Sequence, residues 1–338
     1  MNYIITGGTG FIGTHLTNLI KKRYPNAQVY NLDIVKPGTP NPVVKDYKPA
    51  LRDGQKLEST FIEYDIRKPI ENLPFTPTED DVIFNFAAVH RTPGHEDHEY
   101  FETNIRGAEN VVAFAEKWNI KKIVFTSSIA PYGAAEELKK ETTLPTPNTA
   151  YGISKLVAEK IHEKWQNGDA AHRQLTIVRP GVVFGKGENG NFTRLYWAIR
   201  GHKFAYPGRK DTIKACIYVK ELVRFMLWKV EEGVNTNNSN NTNFVCLPTS
   251  VNICATWGRL FSARGSVSSV RSVGISFLPT DFTAQMLVCA ELNHGLNGFG
   301  RFVFDRLRLN MCCCVLRRQD TSATDGCSEN PINQINPL

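Results

Sequence analysis

Short apolar runs rich in β-branched residues recur through the first half of the chain. They occupy residues 3–6, 28–32, 60–64, 82–86, 123–126 and 175–178. Runs this short and this continuously apolar are typical of strands that are buried on both faces of a sheet. Between them, residues 101–118 and 151–166 repeat apolar positions with the period of an α-helix. The alternation predicts an α/β fold with a doubly wound parallel sheet.

The pattern weakens in two other places. Residues 34–58 are rich in proline and charge without clear periodicity, so we expect a loop there. Residues 235–243 read NTNNSNNTN, a polar tract that cannot bury apolar surface. We therefore divide the chain into residues 1–178, residues 179–233 and a tail of residues 234–338.

The composition changes at the start of this tail. All 21 lysines lie at or before Lys229, whereas seven of the eight cysteines follow it. The adjacent cysteines at positions 312–314 lack the spacers of a zinc site, so we predict no metal. Two interpretations remain open: a divergent substrate-facing subdomain, or an aberrant tail from an out-of-frame translation or a chimeric join. We favour the second.

The charge balance excludes other classes of partner. The 40 basic and 33 acidic residues give a formal charge of +7 and are scattered along the chain, which is not typical of a nucleic-acid-binding protein. No run of 18 apolar residues is present, and the amino terminus passes directly into a strand. We expect a soluble cytoplasmic protein with no membrane or nucleic-acid partner.

A glycine-rich turn follows the first predicted strand. Residues 6–13 read TGGTGFIG, which places Gly7, Gly10, Phe11, Ile12 and Gly13 at the start of a helix. Glycines let such a turn tighten and let its backbone approach a pyrophosphate at the helix amino terminus. Asp33 ends the second strand, 20 residues after Gly13. A carboxylate there accepts hydrogen bonds from a ribose 2′-hydroxyl and repels a 2′-phosphate, which favours NAD over NADP.

Tyr151 and Lys155 are candidates for acid–base chemistry. Four residues apart on a helix, they lie about 6 Å apart along one face. A positive charge at about 4 Å contributes about 4 kcal/mol at an effective dielectric near 20, which predicts a Tyr151 pKa lowered towards neutrality. Ser128, after the fifth strand, is placed to hydrogen-bond a substrate oxygen. The spacing also fits a surface tyrosine and lysine on an amphipathic helix, and Ser128 also fits a strand-end cap.

Together these motifs resemble the extended short-chain dehydrogenase/reductase superfamily, and particularly its NAD-dependent epimerase/dehydratase family of nucleotide-sugar enzymes. The resemblance covers residues 1 to about 230. It is carried by TGGTGFIG at 6–13, Asp33, Asp65 and Ile66, NFAA at 85–88, NIRG at 104–107, SSIAPYG at 127–133, YGISK at 151–155, and Arg179 and Pro180.

The resemblance implies a role for each matching residue. The catalytic set is Ser128, Tyr151 as the base, and Lys155, which also holds the ribose. Further residues around NAD are Asp65 and Ile66 at the adenine, Ala87 and Ala88 along the pyrophosphate path, Asn104 bracing the active-site helix, and Pro180 near the nicotinamide. The family commonly dimerises through the helices at 101–118 and 151–166, so a homodimer is expected.

Residues for the substrate are also expected. Asn191 resembles a family position that contacts the nucleotide diphosphate and precedes a helix over 192–200. Lys214, in a family strand over 213–219, replaces the usual arginine, so a point charge replaces a bidentate fork. His90 and Arg91 follow the fourth strand and are placed to face the sugar, although a solvated loop pair fits as well.

The expected reaction is epimerisation of a nucleotide sugar through a 4-keto intermediate. A 4,6-dehydratase of this family has Asp-Glu after the strand-end threonine, whereas here Ser127 and Ser128 follow Thr126. A sugar or alcohol dehydrogenase or ketoreductase of the same superfamily is the first alternative. A non-catalytic NAD-binding protein with a defective substrate domain is the second, because the tail matches no family pattern beyond Asn243 and Phe244.

Overall fold

The structure, a computed structural model, describes most of the first 232 residues and four later strands. The described residues are 1–39, 56–90, 94–134, 137, 139–201, 203 and 214–232, with the backbone alone of 242–247, 249–251, 270–280 and 283–292. Arg91 and most of the predicted loop over 34–58 lie outside this set.

A parallel sheet forms the centre of the molecule. Its first six strands are β1 (Asn2–Thr6), β2 (Gln28–Asp33), β3 (Thr60–Glu63), β4 (Val82–Asn85), β5 (Lys122–Thr126) and β6 (Gln174–Pro180). They lie in the order β3-β2-β1-β4-β5-β6, and every neighbouring pair is parallel. All six strands predicted from the sequence are present, with ends within two residues of the prediction.

Helices cover both faces of this sheet. They are α1 (Phe11–Arg23), α2 (Asp97–Tyr100), α3 (Arg106–Lys117), α4 (Ala150–Asn167), α5 (Asn191–Arg200) and α6 (Val219–Glu232), and a π-helical turn (Phe101–Ile105) joins α2 to α3. One core cluster packs α3 and α4 against the sheet through residues such as Phe114 and Trp165. A second packs α1 and α6 on the other face through residues such as Leu16 and Met226. The order and the two layers confirm the doubly wound Rossmann architecture.

The chain after β6 adds smaller elements. The strands β7 (Val182–Phe184) and β8 (Lys214–Tyr218) pair in parallel, and β9 (Thr242–Leu247) extends the main sheet in parallel with β6. The strand β10 (Thr249–Val251) pairs with β8, and β11 (Val270–Thr280) forms an antiparallel hairpin with β12 (Thr283–Leu292). Thus the segment that we assigned to the tail contributes an edge strand to the main sheet.

The described helices give no sign of a membrane span: none is both long enough and apolar enough to cross a bilayer.

Candidate active site

The glycine-rich turn lies against the segment that follows β4. Gly7 has a φ of +66°, a left-handed conformation that favours glycine, and a Cβ there would lie 2.7 Å from the backbone nitrogen of Ala87. A Cβ on Gly13 would lie 2.6 Å from the Cα of Gly8. The turn, the first helix and the end of β4 therefore approach more closely than side chains would allow, which is the cradle that a dinucleotide pyrophosphate needs.

The amino terminus of α1 opens at this turn. Its N-cap, Gly10, provides no side-chain cap, and the first turn contains no acidic residue. The first amide groups of a helix lack intrahelical acceptors, and the helix dipole adds positive potential there. Phe11 and Ile12 therefore present backbone donors that suit a phosphate.

Asp33 lies beside the same turn at the end of β2. Its Oδ2 accepts a hydrogen bond from the Thr9 amide at 3.1 Å, and its Oδ1 accepts one from the Val35 amide at 3.1 Å. Burial raises the pKa of Asp33, and these hydrogen bonds oppose that rise. Each carboxylate oxygen keeps further acceptor capacity for ribose hydroxyls.

Asp65 and Ile66 follow β3, the edge strand beside β2. Both Asp65 oxygens bind Arg67, and this ion pair lowers the pKa of Asp65. The Ile66 side chain is buried in the core, and its carbonyl accepts a hydrogen bond from Asn110 at 2.8 Å. The structure therefore assigns both side chains to local contacts, and their predicted place at the adenine remains a prediction.

Asn104 links the segment after β4 to helix α4. It is buried in the π-helical turn, where its side chain bonds both the amide and the carbonyl of Val89 at 2.9 and 3.0 Å. Its Nδ2 also donates to Ser154 Oγ in α4 at 2.9 Å. The half-buried Ala87 and Ala88 lie in the segment that Asn104 holds, and the buried Pro180 ends β6.

Ser128, Tyr151 and Lys155 meet at the carboxyl end of β5. Tyr151 lies in the first turn of α4, whose N-cap Thr149 accepts a hydrogen bond from the Gly152 amide at 3.0 Å. Ser128 follows β5, where its Oγ accepts a hydrogen bond from the Ala130 amide at 3.1 Å, and its side chain lies close enough to the Tyr151 phenol to lower the pKa of that phenol. Lys155, which is 2% exposed, donates from Nζ to the Thr126 carbonyl at 2.8 Å. A hydroxyl, a phenol and an ammonium thus share the sheet edge where this fold binds ligands.

The structure does not show the expected acidification of Tyr151, and this prediction was wrong. Burial raises the pKa of Tyr151 to about 12, although the hydrogen bond with Ser128 lowers it in part. Burial also lowers the pKa of Lys155 to about 8, and its Nζ is already committed to the Thr126 carbonyl. Desolvation disfavours the charged form of each group and is the largest cause of both shifts in pKa.

The predicted substrate residues are more scattered. His90 is exposed after β4, and Asn191 is the exposed first residue of α5, where its Oδ1 accepts a hydrogen bond from Arg194 at 2.5 Å. Lys214 opens β8, but its side chain lies outside the described residues, as does Arg91. Among the described residues, His90 and Asn191 are both exposed, and the assignment of all four residues to the substrate stays a prediction.

Two buried polar groups near the site were missed by the sequence analysis. Glu159 and Arg179 form a buried ion pair beside Ser127 and Tyr132. Glu159 is four residues after Lys155 on α4, so a carboxylate on the inward face of the helix was the available signal.

His162 is the second missed feature. It is fully buried and stacks on Phe125, with ring centroids 4.3 Å apart. Its Nδ1 lies 2.7 Å from the Ala158 carbonyl, so Nδ1 carries the proton and Nε2 accepts from Asn85 Nδ2 at 3.3 Å. Asn85 Oδ1 in turn accepts from Thr6 at 2.8 Å. This chain of hydrogen bonds joins α4 to the strand that leads into the glycine turn.

The parallel sheet, its order and the glycine turn against α1 define a doubly wound dinucleotide-binding protein. The sequence model of the NAD dependent epimerase/dehydratase family matches residues 3–245. The chain belongs to this family.

Individual relatives extend this comparison. The chain is 30% identical over 236 residues to N-acetyl-α-D-glucosaminyl-diphospho-ditrans,octacis-undecaprenol 4-epimerase of Escherichia coli, covering 68% of this chain and 63% of that protein. It is 28% identical over 193 residues to D-erythronate dehydrogenase of Haemophilus influenzae, covering 54% and 56%. The chain thus spans less than two thirds of the length of these relatives.

Solved structures share the fold. The crystal structure of UDP-glucuronic acid 4-epimerase from Bacillus cereus with NAD superposes with a TM-score of 0.62 at 20% identity, covering 79% of this chain and 84% of that one. At this identity the likeness concerns the fold alone.

Proposed function

We propose that this protein binds NAD and interconverts the C4 epimers of a nucleotide sugar through a 4-keto intermediate. The observation that carries the proposal is the convergence of Ser128, Tyr151 and the buried Lys155 at the carboxyl end of β5, where Lys155 Nζ donates to the Thr126 carbonyl at 2.8 Å. This group lies at the same edge of the sheet as the glycine-rich turn. The family membership and the related 4-epimerases support the same reaction.

The residues of the turn fit the proposed cofactor. The close approach of Gly7 to Ala87 and the uncapped amino terminus of α1 suit a pyrophosphate, and Asp33 suits the adenosine ribose. When bound, NAD supplies a positively charged oxidant that takes hydrogen and two electrons from the sugar carbon and returns them to the opposite face of the ketone.

The protein residues move and hold the proton. Tyr151 takes the proton of the sugar 4-hydroxyl as the ketone forms and returns it when the alcohol forms again. Ser128 hydrogen-bonds the same sugar oxygen and the phenol. Lys155 adds a positive charge near the phenolate, which favours ionisation of Tyr151. Because burial raises the pKa of Tyr151 to about 12, ionisation near neutral pH would need the positive charges of Lys155 and of bound NAD together.

The choice of reaction and substrate is tested by one panel. The protein, with NAD, is incubated with UDP-, GDP- and dTDP-sugars and with the undecaprenyl-diphosphate-linked N-acetylglucosamine, and both product stereochemistry and NADH absorbance are measured. A C4 epimer without net NADH is expected for at least one nucleotide sugar. An epimer from the lipid-linked sugar alone would show that the substrate carries a lipid diphosphate and not a nucleotide.

Two other functions have specific support. The likeness to a D-erythronate dehydrogenase favours net oxidation or reduction, for which NADH would accumulate in proportion to product. The end of the family match at residue 245 favours NAD binding without turnover. In that case NAD would bind, and no sugar of the panel would change.

A change at Asp33 tests the cofactor site. Asp33→Ala removes the carboxylate that we place at the ribose hydroxyls, and the lost hydrogen bonds should weaken NAD binding about 10- to 100-fold. NADP binding should weaken less, because the variant no longer repels a 2′-phosphate. Titration calorimetry with both dinucleotides measures the two affinities. Asp169→Ala, which removes an aspartate paired with Lys121 and His172, is the matched control. Equal loss of NAD affinity in both variants would contradict the assignment.

We also propose a homodimer formed through α3 and α4. The proposal rests on the resemblance to family members that dimerise through these helices, and Ile153, which is 41% exposed in the first turn of α4, is the apolar side chain at which to test it. Sedimentation velocity should give the mass of two chains, and Ile153→Glu should give the mass of one. A wild-type protein that stays monomeric at all concentrations would contradict this proposal.

A further inference from the structure

We propose that Glu159 and Arg179 are positioning residues, which hold the turn carrying Ser128 at both of its ends against helix α4. We call Ser127, Tyr132, Glu159 and Arg179 the turn clamp. The inference rests on the proposed function for its catalytic meaning, because Ser128 acts only if Tyr151 and Lys155 on α4 do.

The first end of the turn is held by Ser127, directly after β5. Its Oγ donates to Glu159 Oε1 at 2.5 Å. Glu159 lies on the same helix face as Lys155, one turn further along α4. The residue before Ser128 is therefore bound to the helix that carries the proposed base.

The second end of the turn is held by Tyr132, which closes a short 3-10 segment (Ala130–Tyr132) after Ser128. Arg179 Nη1 donates to the Tyr132 hydroxyl at 2.6 Å, and its guanidinium carbon lies 4.8 Å from the centre of the same ring. Arg179 also donates to both carboxylate oxygens of Glu159, from Nε at 2.8 Å and from Nη2 at 2.6 Å. Both ends of the turn are thus connected to the Glu159 carboxylate, Ser127 directly and Tyr132 through Arg179.

The Glu159–Arg179 ion pair is buried, which indicates that it fixes the position of the turn that carries Ser128. The side chains of Arg179 and Glu159 are 4% and 0% exposed. A buried ion pair seldom stabilises a fold more than apolar side chains of similar volume would, because both charges lose their hydration. The pair instead fixes the orientation of the groups around it, because three charged hydrogen bonds of defined geometry converge on the Glu159 carboxylate. Because apolar residues would stabilise the fold equally well, stability does not explain the Glu159–Arg179 ion pair. A role in placing Ser128 does explain it.

The clamp also acts on the charge of Lys155. Burial lowers the pKa of Lys155, and the negative charge of Glu159 raises it in part. Glu159 therefore helps to keep the ammonium protonated beside Tyr151 while it holds the turn. The Glu159 carboxylate thus acts both on the turn that carries Ser128 and on the ammonium group of Lys155.

The test removes one contact at each end of the turn. Ser127→Ala and Tyr132→Phe each delete a hydroxyl and leave the ion pair in place, so neither leaves a buried charge unpaired. Tyr24→Phe is the control: its hydroxyl bonds Glu231 at 2.6 Å at the end of α1, at the opposite edge of the sheet. Amide hydrogen exchange of residues 128–133, NAD affinity and kcat are measured for each protein.

Both clamp variants should exchange the amides of residues 128–133 at least about tenfold faster, with kcat about tenfold lower. NAD affinity should remain within about twofold, since the glycine turn is not touched. Tyr24→Phe should match the wild type in all three measurements. If amide exchange in residues 128–133 became faster in neither variant, or in only one of them, the two-ended clamp would be overturned. Faster exchange with an unchanged kcat would also overturn it.

These outcomes separate the clamp from the proposed function. If the wild-type protein converts no sugar, the proposed function fails, and the exchange rates alone decide whether the clamp holds the turn. If the wild type is active and the exchange rates do not change, the clamp fails and the proposed function stands.

Discussion

Replacing Tyr151 with phenylalanine should lower turnover at least about a thousandfold, because the reaction loses the group that carries the proton of the sugar hydroxyl. NAD affinity should remain within about twofold. The new ring can keep the packing of the old one against Tyr100, whose ring centroid lies 6.0 Å away. Steady-state kinetics and calorimetry measure the two quantities. The loss should appear in kcat, since the hydroxyl is used in the transition state.

The matched control for this variant is again Tyr24→Phe. It removes a phenol that hydrogen-bonds Glu231, far from the site, so turnover should stay at the wild-type value. If Tyr151→Phe retained more than about a tenth of wild-type turnover, the assignment of the base would be wrong. Weaker NAD binding with unchanged kcat would instead show that Tyr151 only holds the cofactor.

His162 should make the protein sensitive to acid. Burial, together with a smaller effect of the nearby charge of Lys155, lowers its pKa from 6.5 to about 4, although the hydrogen bond to the Ala158 carbonyl opposes this shift. Between these two values the unfolded chain binds a proton that the folded chain does not, so the free energy of unfolding falls as the pH falls. The full effect is about 3 kcal/mol, from 1.36 kcal/mol per pKa unit, and is reached below pH ~4.

The comparison of two histidine variants isolates this effect from the carboxylates that titrate in the same range. His162→Gln keeps a donor and an acceptor without a titrating group, so its free energy of unfolding should fall less between pH 7 and pH ~4. His172→Gln removes only an exposed histidine paired with Asp169, so its curve should depart from that of the wild type much less than the curve of His162→Gln does. Urea denaturation at each pH gives the values. Parallel curves for His162→Gln and the wild type would contradict the buried neutral histidine.

The parts of the fold that depend on local pattern were predictable. Continuous apolar runs predicted the six strands, although the edge strand β3 has no buried residue, and the spacing of the glycines predicted the turn. Both signals lie within a few residues of sequence. The short β7 and the helix α6 were not predicted. The sequence analysis assigned residues 213–219 to a strand and assigned no element to the residues that follow. The apolar face of α6, which packs on α1, was therefore overlooked.

The pKa values and ion pairs of the site residues could not be predicted from local sequence patterns. The spacing of Tyr151 and Lys155 predicted an attraction between charges, but it carried no information on desolvation, which raises one pKa and lowers the other. Arg179 was recognised only as a motif residue, and its partner Glu159 lies 20 positions away. Contacts of this kind depend on tertiary packing. The ion pair of Asp65 with Arg67 is local, but the motif match carried no information on it.

The central claim is that this site oxidises and reduces the same sugar carbon. The most direct measurement uses UDP-glucose and UDP-N-acetylglucosamine deuterated at C4, incubated with the protein and NAD in ordinary water and followed by NMR. The account predicts a C4 epimer that keeps its deuterium, since the hydrogen is returned without meeting solvent. An epimer that has lost the label to water, or no epimer from any nucleotide sugar of the panel, would contradict it.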